Sequence, residues 1–210
     1  MNLTLSNRSN LPLVAILRGL APSEARSVGA TLFDAGFRLL EVPLNRPGAL
    51  DAIRELVAMA PLDAIVGGGT MLSMADVDAV FDAGGRLFVA PNCNPQVIAH
   101  AKGRGMLCAP GVATPTEAFM ALEAGADVLK LFPAESIGYA GLKAFGTVLP
   151  AGTQLWPVGG VAPEQLKAWI AAGATGAGIG GQLYSPGVNL ATLGQRAAAF
   201  AAAWRAGASK

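Results

Sequence analysis

Residues 123–133 read Glu-Ala-Gly-Ala-Asp-Val-Leu-Lys-Leu-Phe-Pro, and two structural elements meet inside them. Glu123 and Ala124 close a helical stretch. Gly125 stands just past the helix end, where the backbone turns left-handed, a conformation that a side chain resists. From Val128 the chain is apolar and suited to a strand, with one charge, Lys130, in its middle. Strand side chains alternate, so Leu129 and Leu131 belong on one face and Val128, Lys130 and Phe132 on the other.

The same junction recurs. Asp34-Ala-Gly36-Phe37, Asp82-Ala-Gly84-Gly85 and Ala171-Ala-Gly173-Ala174 each end a helix just before a strand. Short β-type runs are expected at 13–18, 39–44, 64–70, 87–91, 106–110, 128–133, 155–160 and 176–180, with Ala-rich helical stretches between them. These runs are continuously apolar, the pattern of parallel strands covered on both faces. Strand–helix units repeating without a linker predict a single-domain α/β fold, a closed (β/α)8 TIM barrel over 11–206. An N-terminal extension or short helix at 1–10 precedes it and a tail at 207–210 follows. Helix starts are marked by Pro or a hydroxyl ahead of an acid at 21–24, Ser73, 114–117 and 162–164, and 190–204 reads as the closing helix.

Composition narrows the function. The chain has 210 residues, 52% hydrophobic and 14% charged, with a mean hydropathy of +0.46, so it can bury a large core. Its formal net charge is +1 and its cations are scattered, which leaves no electrostatic footprint for nucleic acid or an anionic membrane. A small-molecule partner is expected instead. Cys93 and Cys108 lack metal-ligand spacing and His100 is the single histidine, which excludes a histidine-rich metal site and an ordinary Ser-His-Asp triad. The polar start and the absence of an apolar run of roughly 18 residues predict a cytoplasmic protein.

In such a barrel the chemistry lies at the C-terminal ends of the strands. Burial there lowers the pKa of the Lys130 ammonium and yields the neutral amine that attacks a carbonyl. A lysine that snorkels to the rim fits the same pattern. Glu41, in Leu39-Leu-Glu-Val-Pro43, holds the equivalent place in the second strand. Alternate strands share a layer, so Glu41 can face Lys130 and move the protons that imine chemistry requires; a structural ion pair is the alternative. Arg18 ends the first strand and Thr70 ends the third, after three glycines. Both suit a substrate carboxylate, although an arginine there can equally cap neighbouring carbonyls. Val158-Gly159-Gly160 and Gly178-Ile179-Gly180-Gly181 end the last two strands, where backbone N–H groups of such barrels converge on phosphate.

Together, Leu40-Glu41-Val42, Gly67-Gly-Gly-Thr70, Lys130-Leu-Phe-Pro-Ala-Glu135, Val158-Gly-Gly-Val161 and Gly178-Ile-Gly-Gly181 resemble the class I 2-keto-3-deoxy-6-phosphogluconate and -galactonate aldolases. The resemblance covers about residues 11–187. It implies a (β/α)8 barrel assembled as a homotrimer, no metal and no cofactor beyond a covalent imine on Lys130, and Glu41 as general acid and base. Asn45 stands where the gluconate enzymes carry an arginine and Val158 where they carry a threonine. Both, with Ala15-Ile-Leu-Arg-Gly19, look like the phosphogalactonate branch. A threonine hydroxyl can favour one C4 epimer by hydrogen bonding, and a valine cannot. Relatives often place a serine in the last loop, where this chain reads Gly180-Gly181-Gln182, so the phosphate is expected to rely on backbone N–H groups.

The expected reaction is reversible cleavage of 2-dehydro-3-deoxy-6-phospho-D-galactonate to pyruvate and D-glyceraldehyde 3-phosphate. Its rivals are cleavage of the gluconate epimer, a dual-specificity pyruvate aldolase, and a phosphosugar-binding protein without catalysis.

Overall fold

A computed structural model describes residues 11–209, so the expected extension at 1–10 lies outside the described residues. The order is β1 (Leu11–Ile16), α1 (Pro22–Asp34), β2 (Phe37–Pro43), α2 (Ala49–Met59), β3 (Ile65–Gly69), α3 (Met74–Asp82) and β4 (Leu87–Val89). Next come α4 (Pro95–Gly103), β5 (Leu107–Ala109), β6 (Gly111–Val112), α5 (Pro115–Glu123), β7 (Leu129–Leu131) and α6 (Ala134–Val148). The chain ends with β8 (Leu155–Pro157), a 3-10 turn (Pro163–Gln165), α7 (Leu166–Ala172), β9 (Ala177–Ile179) and α8 (Leu190–Ala208).

Each expected strand is present, and the fifth is split. Pro110 separates β5 from β6 because it has no N–H to offer the ladder. Every pairing is parallel. One curled sheet runs in the order β5-β4-β3-β2-β1-β9 and a smaller one in the order β6-β7-β8. A parallel bridge from Val158 to Gly178 joins the two at one edge. At the other edge the Asp127 and Val128 N–H groups donate to Cys108 O at 2.9 and 3.1 Å.

The alternation read from sequence places the side chains correctly. Leu129 and Leu131 join the large core between sheets and helices. Val128 joins Val14, Leu39, Leu87, Val89, Leu107, Ala109 and Trp156 in a second cluster on the concave face. The helix-ending glycines all turn left-handed, with φ of 96° at Gly36, 91° at Gly84, 98° at Gly125 and 111° at Gly173.

Helix starts divide by chemistry. Ser73 and Thr114 form capping boxes with Asp76 and Glu117, whereas α1 starts on proline without a side-chain cap bond and the 3-10 turn adds to its proline the Ala162 N–H donating to Gln165 Oε1 at 2.9 Å. Asn94 and Asn189 cap α4 and α8. An arginine device repeats at alternate units: Arg38 Nη1 donates to Phe33 O and Phe37 O, and Arg86 Nη1 to Phe81 O and Gly85 O. Each ties a helix end to the strand that follows. The last helix runs past the expected 190–204 to Ala208, where the Ser209 hydroxyl and N–H both donate to Arg205 O. Among the described residues no helix is long and apolar enough to cross a membrane.

Candidate active site

Two charged side chains are buried among the described residues, Glu41 at 2% exposure and Lys130 at 7%. Lys130 is the central residue of β7, paired with Gly111 on one side and Trp156 on the other. Glu41 lies in β2, paired with Ile16 and Gly67. Neither takes part in any ion pair among the described residues, and Glu41 Oε2 is buried with no hydrogen-bond partner there. The structural ion pair that the sequence left open is therefore not formed.

Burial moves both groups toward neutrality. Desolvation raises the Glu41 carboxyl pKa, against smaller lowering effects of Lys130 and Arg18. Desolvation also depresses the Lys130 ammonium, opposed by Glu41 and reinforced by Arg18. Charge from both neighbours reaches each group, which makes Arg18, Glu41 and Lys130 one electrostatic unit.

The three glycines before Thr70 stand where side chains would meet neighbouring groups. A Cβ on Gly69 would overlap the Glu41 carboxylate, one on Gly67 would overlap the Leu87 backbone, and one on Gly68 would meet Val80 and Met71. The triplet thus clears space for the neighbouring strand and for Glu41. Gly69→Ala is expected to displace Glu41, lowering stability by about 1–3 kcal/mol and turnover by roughly 100-fold. Urea unfolding together with steady-state kinetics checks both.

A cavity of about 320 Å³ opens at the strand ends, its wall including Ile16, Arg18, Phe132, Val158 and Gly178, and neither Lys130 nor Glu41 lines it. Six of the expected binding residues line it together: Arg18, Val158, Gly159, Gly160, Gly180 and Gly181. Phe132 links it to the buried pair, since Lys130 Nζ lies 4.8 Å from the centre of its ring. Thr70 does not line this cavity. It holds φ at 56°, a strained value for a β-branched residue, and the clamp of Arg18 with Thr70 is not assembled around one cavity.

The two glycine pairs differ. Gly159 and Gly160 have φ of 112° and 63°, and a Cβ on either would strike the Glu135 carboxylate at 2.5 and 2.7 Å. Glu135 belongs to the Lys130–Glu135 motif, and its spacing there carries no sign that it covers this turn. Gly180 and Gly181 carry no such strain. There the Leu183 and Tyr184 N–H groups both donate to Gly180 O, at 2.8 and 3.0 Å, forming one helical turn that leaves the Gly181 and Gln182 N–H groups without a backbone acceptor among the described residues.

Ser185 and Gln182 of this loop also line the cavity and add a hydroxyl and an amide to its wall. Ser185 stands past the helical turn, beyond the place where a motif would seek it.

The remaining reactive side chains lie elsewhere. His100 Nε2 sits 2.8 Å from Asp78 Oδ1 in a surface network between α3 and α4 that includes Arg104. Burial pushes the Cys108 thiol up to about 12 and also raises Cys93, so neither is a ready nucleophile. No group of three or more His, Cys, Asp or Glu among the described residues could hold a metal ion.

A family model for KDPG and KHG aldolase matches residues 6–193. The chain is 46% identical over 198 residues to the 2-dehydro-3-deoxy-6-phosphogalactonate aldolase of Escherichia coli strain K12, covering 94% of this chain and 97% of that one. It is 32% identical over 149 residues to the 2-dehydro-3-deoxy-phosphogluconate aldolase of Zymomonas mobilis, covering 70% of each. A solved structure described as native KDPGal superposes with a TM-score of 0.94 at 44% identity, covering 97% of this chain and 98% of that one. A buried lysine and carboxylate, a glycine-lined cavity and a match over nearly the whole chain lead to the same conclusion: the chain belongs to the KDPG and KHG aldolase family.

Proposed function

We propose that this chain is a class I aldolase that reversibly cleaves 2-dehydro-3-deoxy-6-phospho-D-galactonate to pyruvate and D-glyceraldehyde 3-phosphate. The observation that carries it is the buried, unpaired couple of Lys130 and Glu41, each shifted toward its neutral form. A neutral Lys130 amine adds to the C2 carbonyl, and loss of water gives a protonated imine. The imine draws the C3–C4 bonding electrons as that bond breaks, while the C4 hydroxyl gives its proton to Glu41. Glyceraldehyde 3-phosphate leaves. The enamine takes a proton at C3, and hydrolysis of the imine releases pyruvate and Lys130. No metal or cofactor enters, because the imine is itself the electron sink.

Arg18 receives the keto-acid carboxylate from the cavity wall, without Thr70, which does not line that cavity. The phosphate takes the wall of Gly159, Gly160, Gly180 and Gly181, with Ser185 and Gln182 as side-chain donors. A binding protein without catalysis would have no use for two buried ionisable groups that desolvation penalises.

The sheets are read as one closed (β/α)8 barrel in a single domain over 11–206, joined through the Val158–Gly178 bridge and the bonds to Cys108 O. A homotrimer agrees with the exposed Leu72, Met74, Phe119 and Met120, and a cytoplasmic location agrees with phosphorylated substrates.

Val158 decides the epimer in this reading, since it offers the sugar an apolar wall. The purified enzyme should turn over the galactonate epimer with a higher kcat/KM than the gluconate epimer. Val158→Thr should shift the ratio toward gluconate by roughly tenfold. Equal turnover of both epimers by the unaltered enzyme would remove the assignment.

A further inference from the structure

Arg18 Nη1 donates to Asn45 Oδ1 at 3.0 Å, the one side-chain hydrogen bond of Arg18 among the described residues. Arg26, Arg38, Arg54 and Arg104 each have a carboxylate partner, and Arg18 has none there. The two residues leave adjacent, paired strands: Ile16 of β1 sits opposite Glu41 of β2, and Leu17 N–H donates to Glu41 O at 2.9 Å. One strand pair thus carries Arg18, Asn45 and Glu41 to the same rim.

The side chain of Arg18 is exposed, and it lines two cavities. One is the glycine-walled cavity that Phe132 also lines. The other, of about 400 Å³, lies among Gly19, Arg46, Pro47 and Pro186. A long, exposed guanidinium between two open spaces needs a tether to stay over one of them, and the amide of Asn45 supplies it. An amide oxygen accepts the hydrogen bond and carries no charge, so the full cation remains available to an anion. A carboxylate at this place would aim the guanidinium equally well and neutralise it.

We propose that Asn45 is a positioning residue, a neutral acceptor that holds Arg18 toward the substrate carboxylate and thereby sets how tightly the enzyme holds a 2-keto acid. The proposal rests on the aldolase reading above. The influence of Arg18 on both Glu41 and Lys130 agrees with it, because a guanidinium held near the pair acts on both.

The test is borohydride trapping of pyruvate at Lys130, followed by mass spectrometry over a range of pyruvate concentrations and pH. Asn45→Ala should raise the half-saturating pyruvate concentration about tenfold and leave kcat for aldol cleavage within about threefold. Asn45→Asp should raise it further. It should also move the acid limb of trapping to higher pH, because the added carboxylate cancels Arg18 and favours protonated Lys130. In an Arg18→Ala background, Asn45→Ala should change nothing more. An unchanged half-saturating concentration in Asn45→Ala, or the same increase with Arg18 absent, overturns the positioning role. Absence of trapping at Lys130 in the unaltered enzyme overturns the aldolase reading itself.

Discussion

Lys130→Met is expected to lower aldol turnover by roughly 10⁴-fold or more, since covalent catalysis has no other amine in the buried site. Methionine fills a similar volume, so the apolar walls around β7 remain packed. The substitution also changes how stability depends on pH. The folded-state pKa of Lys130 is depressed, so the unfolded chain takes up that proton first. Stability is therefore lost as pH falls from the unfolded value near 10.5 through the folded one. Methionine removes this loss. Glu41 acts in the same direction: without Lys130 its already raised pKa rises further, so the variant is penalised more as pH rises above the unfolded carboxylate value. The variant should gain stability relative to the unaltered enzyme as pH is lowered from 9 to 6, as read by urea unfolding at both. Appreciable turnover, or an identical pH dependence of unfolding, would contradict the assignment of Lys130.

Glu41→Gln is expected to reduce kcat by roughly 10²–10⁴-fold, the range for loss of a positioned general acid and base, while pyruvate can still be trapped on Lys130. Glutamine keeps the shape that the missing side chain of Gly69 accommodates, so the packing of β2 against β3 stays intact. The sign of the pH effect follows from the charge removed. Glu41 raises the Lys130 pKa, so its loss lowers that value further, and the acid limb of trapping should move to lower pH. A kcat within threefold of the unaltered enzyme, or an acid limb moving upward, would show that the carboxyl does not serve Lys130.

These effects trace to residues that differ in how openly the sequence displays them. Lys130 and Glu41 stand out because each interrupts a continuously apolar strand, and alternation along the strand fixes the face they occupy. The left-handed glycines at 36, 84, 125 and 173 and the caps at Ser73 and Thr114 are equally legible, since a local backbone demand selects the residue type. The glycine pairs at 159–160 and 180–181 were found by position alone. Their different roles were hidden, because one pair lies under Glu135 and the other opens a helical turn.

The sequence by itself determined the alternation of strands and helices, the faces of the strands and the two ionisable residues that are buried in them. Each of these is written within a few neighbouring residues as periodicity, caps and a lone charge in an apolar run. Only the tertiary structure decided that Gly69 makes room for Glu41, that Asn45 tethers Arg18, that Ser185 lines the cavity and that Thr70 lies outside it. Those relations join loops from different strands, and the curl of the parallel sheets brings them together at one rim without leaving a local pattern in the chain.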